Sequence, residues 1–301
     1  MSRFGHICPF CRAYNAKGEA RCTRCEARLP PEPFATAMRW LKTTDNASTM
    51  VLGGINIVVF ALMVADTVSV GSTTSLLWSM PRSTVIRFGA LGTGLDQELG
   101  RYVSACFVHL SLIHIGFNML ALADLGKMAE QKVGSLRLVA AYLLTGVVGF
   151  IASHFWYAAT HTPYVTAGAS GAIFGLYGIV IASLAVRRDK AWKEVLFRVV
   201  VQSFVWYFVL HTNQAAHLGG LAAGLALGAV LELERRPWRR DSLLAVLALL
   251  GLVGTLGSLA LAQRSPIWRL VREHEELRKN PAPRDIVRGH TPRSEPDEPD
   301  E

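Results

Sequence analysis

Hydrophobic residues in this chain gather in long unbroken runs, near 48–65, 103–123, 136–159, 165–186, 198–212, 214–232 and 243–262. A helix rises about 1.5 Å per residue, so about 20 apolar residues cross the hydrocarbon core of a bilayer. Leu243 to Ala262 has that length with no charge at all. In lipid a backbone must satisfy its own hydrogen bonds, which leaves helices or closed barrels, and runs of this length fit helices. The pattern therefore predicts an all-α polytopic membrane protein, with six spans in a bundle and a seventh at the C-terminal end.

Polar stretches divide the rest. Residues 1–29 form a cysteine-rich unit, and 30–47 a linker punctuated by Pro30, Pro31 and Pro33, whose segment Phe34 to Asp45 is expected at the membrane surface. The spans occupy 48–262. The tail, 263–301, is charged and Pro-rich, with a surface helix expected from Arg264 to Lys279 and disorder beyond it.

Composition supports the same picture: the chain is 51% hydrophobic and only 18% charged. The net charge of +8 would suit a nucleic-acid partner if it were spread over a soluble surface. Instead much of it lies in short loops: Lys127, Lys132 and Arg137; Arg187, Arg188, Lys190 and Lys193; Arg235, Arg236, Arg239 and Arg240. Cytoplasmic loops retain Lys and Arg, so these loops are expected inside, with a cytoplasmic N-terminus and no nucleic-acid partner. The first 30 residues lack the apolar core of a signal peptide. Seven spans put the tail outside, whereas six would leave it inside.

The fourth span opens with Gly168-Ala169-Ser170-Gly171, followed by Phe174 and Gly175. Small residues let membrane helices approach closely, and read alone this stretch is a packing surface. The sixth span carries His217, then Gly220, Gly224 and Gly228 at four-residue spacing. An ionisable residue inside a span is costly and usually functional, and an imidazole near a serine is the standard way to activate it. Neither span contains Asp or Glu apart from Glu232 at the end of the sixth, so a Ser170–His217 dyad is expected rather than a triad. In the second span His114 and Asn118 are four residues apart and share a helix face. They are either a polar clamp between helices or, with the Ser170 N–H, donors for the oxyanion that acyl transfer creates.

The combination of His114-x-x-x-Asn118, Gly168-x-Ser170-Gly171 and His217 with Gly220 and Gly224 resembles the rhomboid intramembrane proteases, over about residues 48 to 262. The resemblance implies that Ser170 attacks the scissile carbonyl, that His217 serves as base and then acid, and that His114, Asn118 and the Ser170 amide bind the oxyanion. Arg101 matches the arginine of the family's Trp-Arg motif in the first outer loop, near Glu98. Gly100 stands where the family usually has tryptophan. Phe174 takes the aromatic position packed on the catalytic histidine. Phe117 and Trp206 fall at a lateral gate between the second and fifth spans, or else face lipid. His109 either lines the water-accessible cavity or is a structural histidine. His154, His161 and His211 are expected at span ends or in loops. Substrates would be transmembrane segments unwound near the outer face of a bacterial inner membrane. A silent relative that binds transmembrane clients is the alternative.

Cys8-x-x-Cys11 and Cys22-x-x-Cys25 are two knuckles ten residues apart, the spacing of a tetrahedral four-thiolate zinc site. So small a unit folds chiefly on its metal. A redox pair or iron is the alternative, and the basic residues around the unit suit either acidic lipid headgroups or a cytosolic partner. The fifth cysteine, Cys106, sits alone in the second span.

Overall fold

The computed structural model describes residues 6–7, 13–16, 19–29, 44–69, 71, 75–210, 212–233 and 237–279. In chain order the elements are β1 (His6–Ile7), β2 (Tyr14–Asn15), α1 (Ala47–Ser69), α2 (Arg82–Arg87), β3 (Leu91–Gly92), α3 (Arg101–Ser104), α4 (Leu112–Val133), α5 (Ser135–Ala159), β4 (Val165–Thr166), α6 (Ser170–Val186), α7 (Trp192–Leu210), α8 (Gln214–Leu233), α9 (Pro237–Arg264) and α10 (Ile267–Lys279).

Helix α6 is apolar all round, which is the signature of a helix with no exposed face. It is buried along almost its whole length, at the centre of α4, α5, α7 and α8. Helices α1, α5 and α8 are long and apolar enough to cross a membrane, and α6 is a shorter apolar helix. Large apolar side chains on the outside, such as Leu62 of α1, Leu120 of α4 and Phe197 and Phe204 of α7, remain exposed in the isolated chain. A lipid environment suits them.

Contacts at the helix ends give the direction of each. Glu130, near the end of α4, accepts from Ser48 N, Thr49 N and Thr49 Oγ1 at 2.9, 2.9 and 2.6 Å, so it caps the start of α1. Ser183 and Arg187, at the end of α6, meet Glu232 at the end of α8. These ends share one face. On the other face, β3 pairs antiparallel with β4, Leu91 opposite Thr166, directly before α6 begins.

Two apolar runs differ from their expected form. The run expected to start at 103 becomes helix α4 only at Leu112, because residues 105–111 are a buried loop. Its backbone groups bond to neighbouring chain, with Met80 N–H donating to Leu110 O at 2.7 Å and Leu112 N–H to Leu76 O at 2.9 Å. Apolar composition alone does not separate such a loop from a helix. The run expected at 165 starts as β4 and a turn at Gly168, whose φ of +138° keeps helix from forming until Ser170. The surface helix begins at Ile267, since α9 continues to Arg264 and Pro266 interrupts it.

In the N-terminal unit β1 pairs antiparallel with β2, and Arg21 bridges Arg28. Buried Cys22 packs with Leu29 and Ala13. Cys8, Cys11, most of the 30–47 linker, His211 and the tail from 280 lie outside the described residues. Among the described residues no group of three or more metal-ligating side chains stands together.

Candidate active site

The site is built where α6 and α8 touch backbone to backbone. A Cβ on Gly220 would collide with the Gly171 carbonyl, and one on Gly224 with the Gly175 carbonyl. Glycine at these positions is what lets the helices close. Closure brings His217 Nε2 to 2.9 Å from Ser170 Oγ. His217 is buried and Ser170 half-buried.

The Phe174 ring lies parallel to the His217 imidazole, centroids 4.2 Å apart and planes 5° apart, which fixes the ring's orientation. Among the described residues His217 Nδ1 has no hydrogen-bond partner, so there the ring is oriented by packing and not by a carboxylate.

His114 enters from α4. Ser111 caps that helix by accepting from His114 N at 3.1 Å. The ring's Nδ1 accepts from Leu110 N at 3.4 Å, so a neutral ring carries its proton on Nε2. That atom faces Gly168, where an added Cβ would meet His114 Cε1 and Nε2 at 2.8 and 2.9 Å. Gly168 N–H donates to Ala105 O at 2.9 Å, tying the turn before Ser170 to the loop after α3. Asn118 is buried one turn further on, and its Nδ2 donates to His114 O at 2.9 Å. Here its amide is tied to its own helix, and among the described residues Oδ1 has no partner.

The other expected residues take separate places. His109 is fully buried and meets His114 edge-on at 5.2 Å. Phe117 and Trp206 pack across α4 and α7 with centroids 5.0 Å apart. Arg101 is 1% exposed and donates to Glu98 at 2.9 Å, Ile86 O at 2.7 Å and Ala90 O at 2.9 Å, so it holds the loop. Cys106 is buried against Gly146. His154 reaches Tyr164 Oη at 3.3 Å. Burial, then Tyr102, Asp96 and Tyr157, push the Tyr164 phenol up to about 12, which keeps it protonated. His161 is exposed.

Sequence reasoning missed Asn213. Its Oδ1 accepts from Ala216 N at 3.1 Å, and its carbonyl from His217 N at 3.2 Å. Its Nδ2 donates to Ser153 Oγ at 2.6 Å and Thr166 Oγ1 at 3.1 Å. One side chain thus starts the histidine's helix and ties it to α5 and β4. The available signal was an Asn just ahead of an apolar helix, an N-cap pattern.

The geometry can transfer a proton from a serine hydroxyl to an imidazole and offer N–H donors beside it. Residues 96–234 match the Rhomboid domain family. The chain is 31% identical over 158 residues to the rhomboid protease GluP of Bacillus subtilis, covering 50% of this chain and 30% of that protein. It is 32% identical over 185 residues to Rhomboid-like protease 2 of Toxoplasma gondii, covering 58% and 62%. With the putative rhomboid protease YdcA of Bacillus subtilis it shares 29% over 175 residues, covering 54% and 85%. The chain thus spans less than two thirds of the first two relatives. These matches support the rhomboid family and, with the apolar helices, indicate a multi-pass integral membrane protein.

Proposed function

We propose that this chain is a rhomboid-type intramembrane serine endopeptidase that cleaves transmembrane segments through a Ser170–His217 dyad. The observation that carries the reading is the 2.9 Å approach of Ser170 Oγ to His217 Nε2, with the neutral His114 Nε2–H facing the turn that precedes the serine.

The steps follow from these positions. Ser170 Oγ attacks the scissile carbonyl carbon as its proton passes to His217 Nε2. The carbonyl oxygen becomes an oxyanion, held by the Ser170 N–H and His114 Nε2–H, with Asn118 Nδ2 turning inward. Apo hydrogen bonds commonly tighten only with substrate, which accommodates the present Asn118 position. His217 then protonates the departing amine, and the peptide bond breaks. Water, losing its proton to His217, attacks the acyl-serine and releases the carboxylate product and Ser170. An intact substrate helix hides its carbonyls in hydrogen bonds, so the scissile stretch has to unwind.

The half-buried state of Ser170 suits access from the face that bears β3 and β4. The positive loops at the other face fit a cytoplasmic N-terminus. Seven alternating helices then place the site opening outside, in a bacterial inner membrane. Cleavage of a tagged transmembrane reporter by the purified full chain in liposomes tests the reading. Products cut within or next to the reporter's span are expected; reporter binding without any cleavage would favour a silent client-binding protein instead.

We propose further that Cys8, Cys11, Cys22 and Cys25 hold a structural zinc. The Cys22 sulfur accepts from Arg24 N at 3.4 Å and Asn15 Nδ2 at 3.6 Å, and N–H donors aimed at sulfur favour the thiolate that a metal requires. A cytosolic partner is the use proposed for this unit. Metal analysis should find about one zinc per chain and its loss in Cys8→Ser/Cys25→Ser; equal zinc in both refutes the assignment.

A further inference from the structure

Helix α10 carries more than a surface helix needs. Its Glu275 carboxylate accepts from Arg82 N at 2.9 Å, Ser83 N at 3.3 Å and Ser83 Oγ at 2.6 Å. These are the free N–H groups at the start of α2, so α10 supplies the cap that α2 lacks from its own neighbour, Pro81. Three residues earlier, Arg272 donates to Asp66 Oδ2 at 2.7 Å. That buried carboxylate, in the last turns of α1, also takes Thr84 Oγ1 at 2.7 Å and the Arg87 guanidinium. The Trp268 ring lies 4.7 Å from the Arg87 guanidinium and 5.0 Å from that of Arg272.

The junction between α9 and α10 grips the same loop. Gln263 accepts from Arg87 Nε at 2.6 Å and donates to Arg87 O at 3.0 Å. Ser265 Oγ donates to Glu98 at 2.8 Å, the carboxylate that pairs with buried Arg101. Helix α9 also fills the space over Gly100, where an added Cβ would come within 2.9 Å of Ser258 Oγ. Helix α10 packs chiefly on α2. Among the described residues its side-chain bonds to the rest of the chain end on the loop, on Asp66 and, through Trp268, on Gln263 O, and none ends on Ser170, His217 or His114.

That loop leads into the site. Arg101 holds Ile86 O and Ala90 O, β3 follows and pairs with β4, and Ala105 O accepts from Gly168 N. We propose that residues 263–279 are a clamp that positions the loop from Arg82 to Ala105, and through it the Gly168 turn, for cleavage. Arg272 and Glu275 are its positioning residues. The kinetic half of this inference rests on the protease reading above; the structural half does not. A consequence is that α10 lies on the same face as the site.

The test compares wild type, Arg272→Ala/Glu275→Ala and the conservative Arg272→Lys/Glu275→Gln, each as full chain in liposomes. Two readouts are taken: hydrogen exchange of amides 82–92, and kcat and KM on the transmembrane reporter. The alanine pair should exchange these amides about tenfold faster. Its kcat should fall about tenfold with KM within about twofold, because a misplaced site loses turnover before binding. The conservative pair should recover most of both. Unchanged exchange in the alanine pair overturns the clamp whether or not the protein cleaves. Faster exchange with unchanged kcat overturns its positioning role. A wild type that never cleaves sinks the protease reading and the kinetic role together, while exchange still decides the clamp.

Discussion

The Ser170→Ala/His217→Ala double variant is expected to cleave a transmembrane reporter no more slowly than either single variant, each reduced by about a thousandfold or more. On the proposed mechanism the two side chains form one device. Ser170 Oγ is a nucleophile only while its proton can leave to His217 Nε2, 2.9 Å away, so losing either end loses the whole proton transfer. Among the described residues His217 Nδ1 has no second partner. Non-additivity separates a dyad from two independent contributors, whose losses would multiply. Initial-rate measurements on the three variants and wild type in one lipid composition decide it, with melting temperatures checking that the bundle is intact.

Gly220→Val should nearly abolish cleavage through geometry alone. Its Cβ would run into the Gly171 carbonyl, with the carbonyl carbon 2.9 Å away. Both neighbours are backbone, so no side chain can rotate aside and α6 and α8 must part. Gly171 follows the nucleophile and Gly220 lies three residues after His217, so the parting falls on the dyad itself. Overpacking of this kind costs about 1–3 kcal/mol of stability, while a shift of about 1 Å at the reacting atoms costs about a hundredfold in rate. Activity should therefore fall much further than the melting temperature. Gly257→Ala in α9, where nothing lies within 4 Å of the added Cβ, is the control expected to change neither.

Much of this site was legible in the sequence because membrane helices are read as runs, and polar residues inside them are costly enough to stand out. Ser170, His217 and His114 were each visible in that way. Asn213 was not, since its partners Ser153 and Thr166 are 60 and 47 positions away. The link from Arg272 to Asp66 spans 206 positions, so a helix that reads as a surface amphipath turns out to cap another. The loop 105–111 is as apolar as the helix it precedes, and only its bonds to Leu76 and Met80 distinguish it. For Asn118 the sequence gives the helix face but not the direction of the amide.

The measurement closest to the central claim is the site of covalent capture by a serine-directed fluorophosphonate, mapped by peptide mass spectrometry on the chain in liposomes. A dyad predicts a single adduct on Ser170 Oγ, absent from Ser170→Ala and formed far more slowly in His217→Ala. An adduct elsewhere, or equal labelling of Ser170 without His217, contradicts the account.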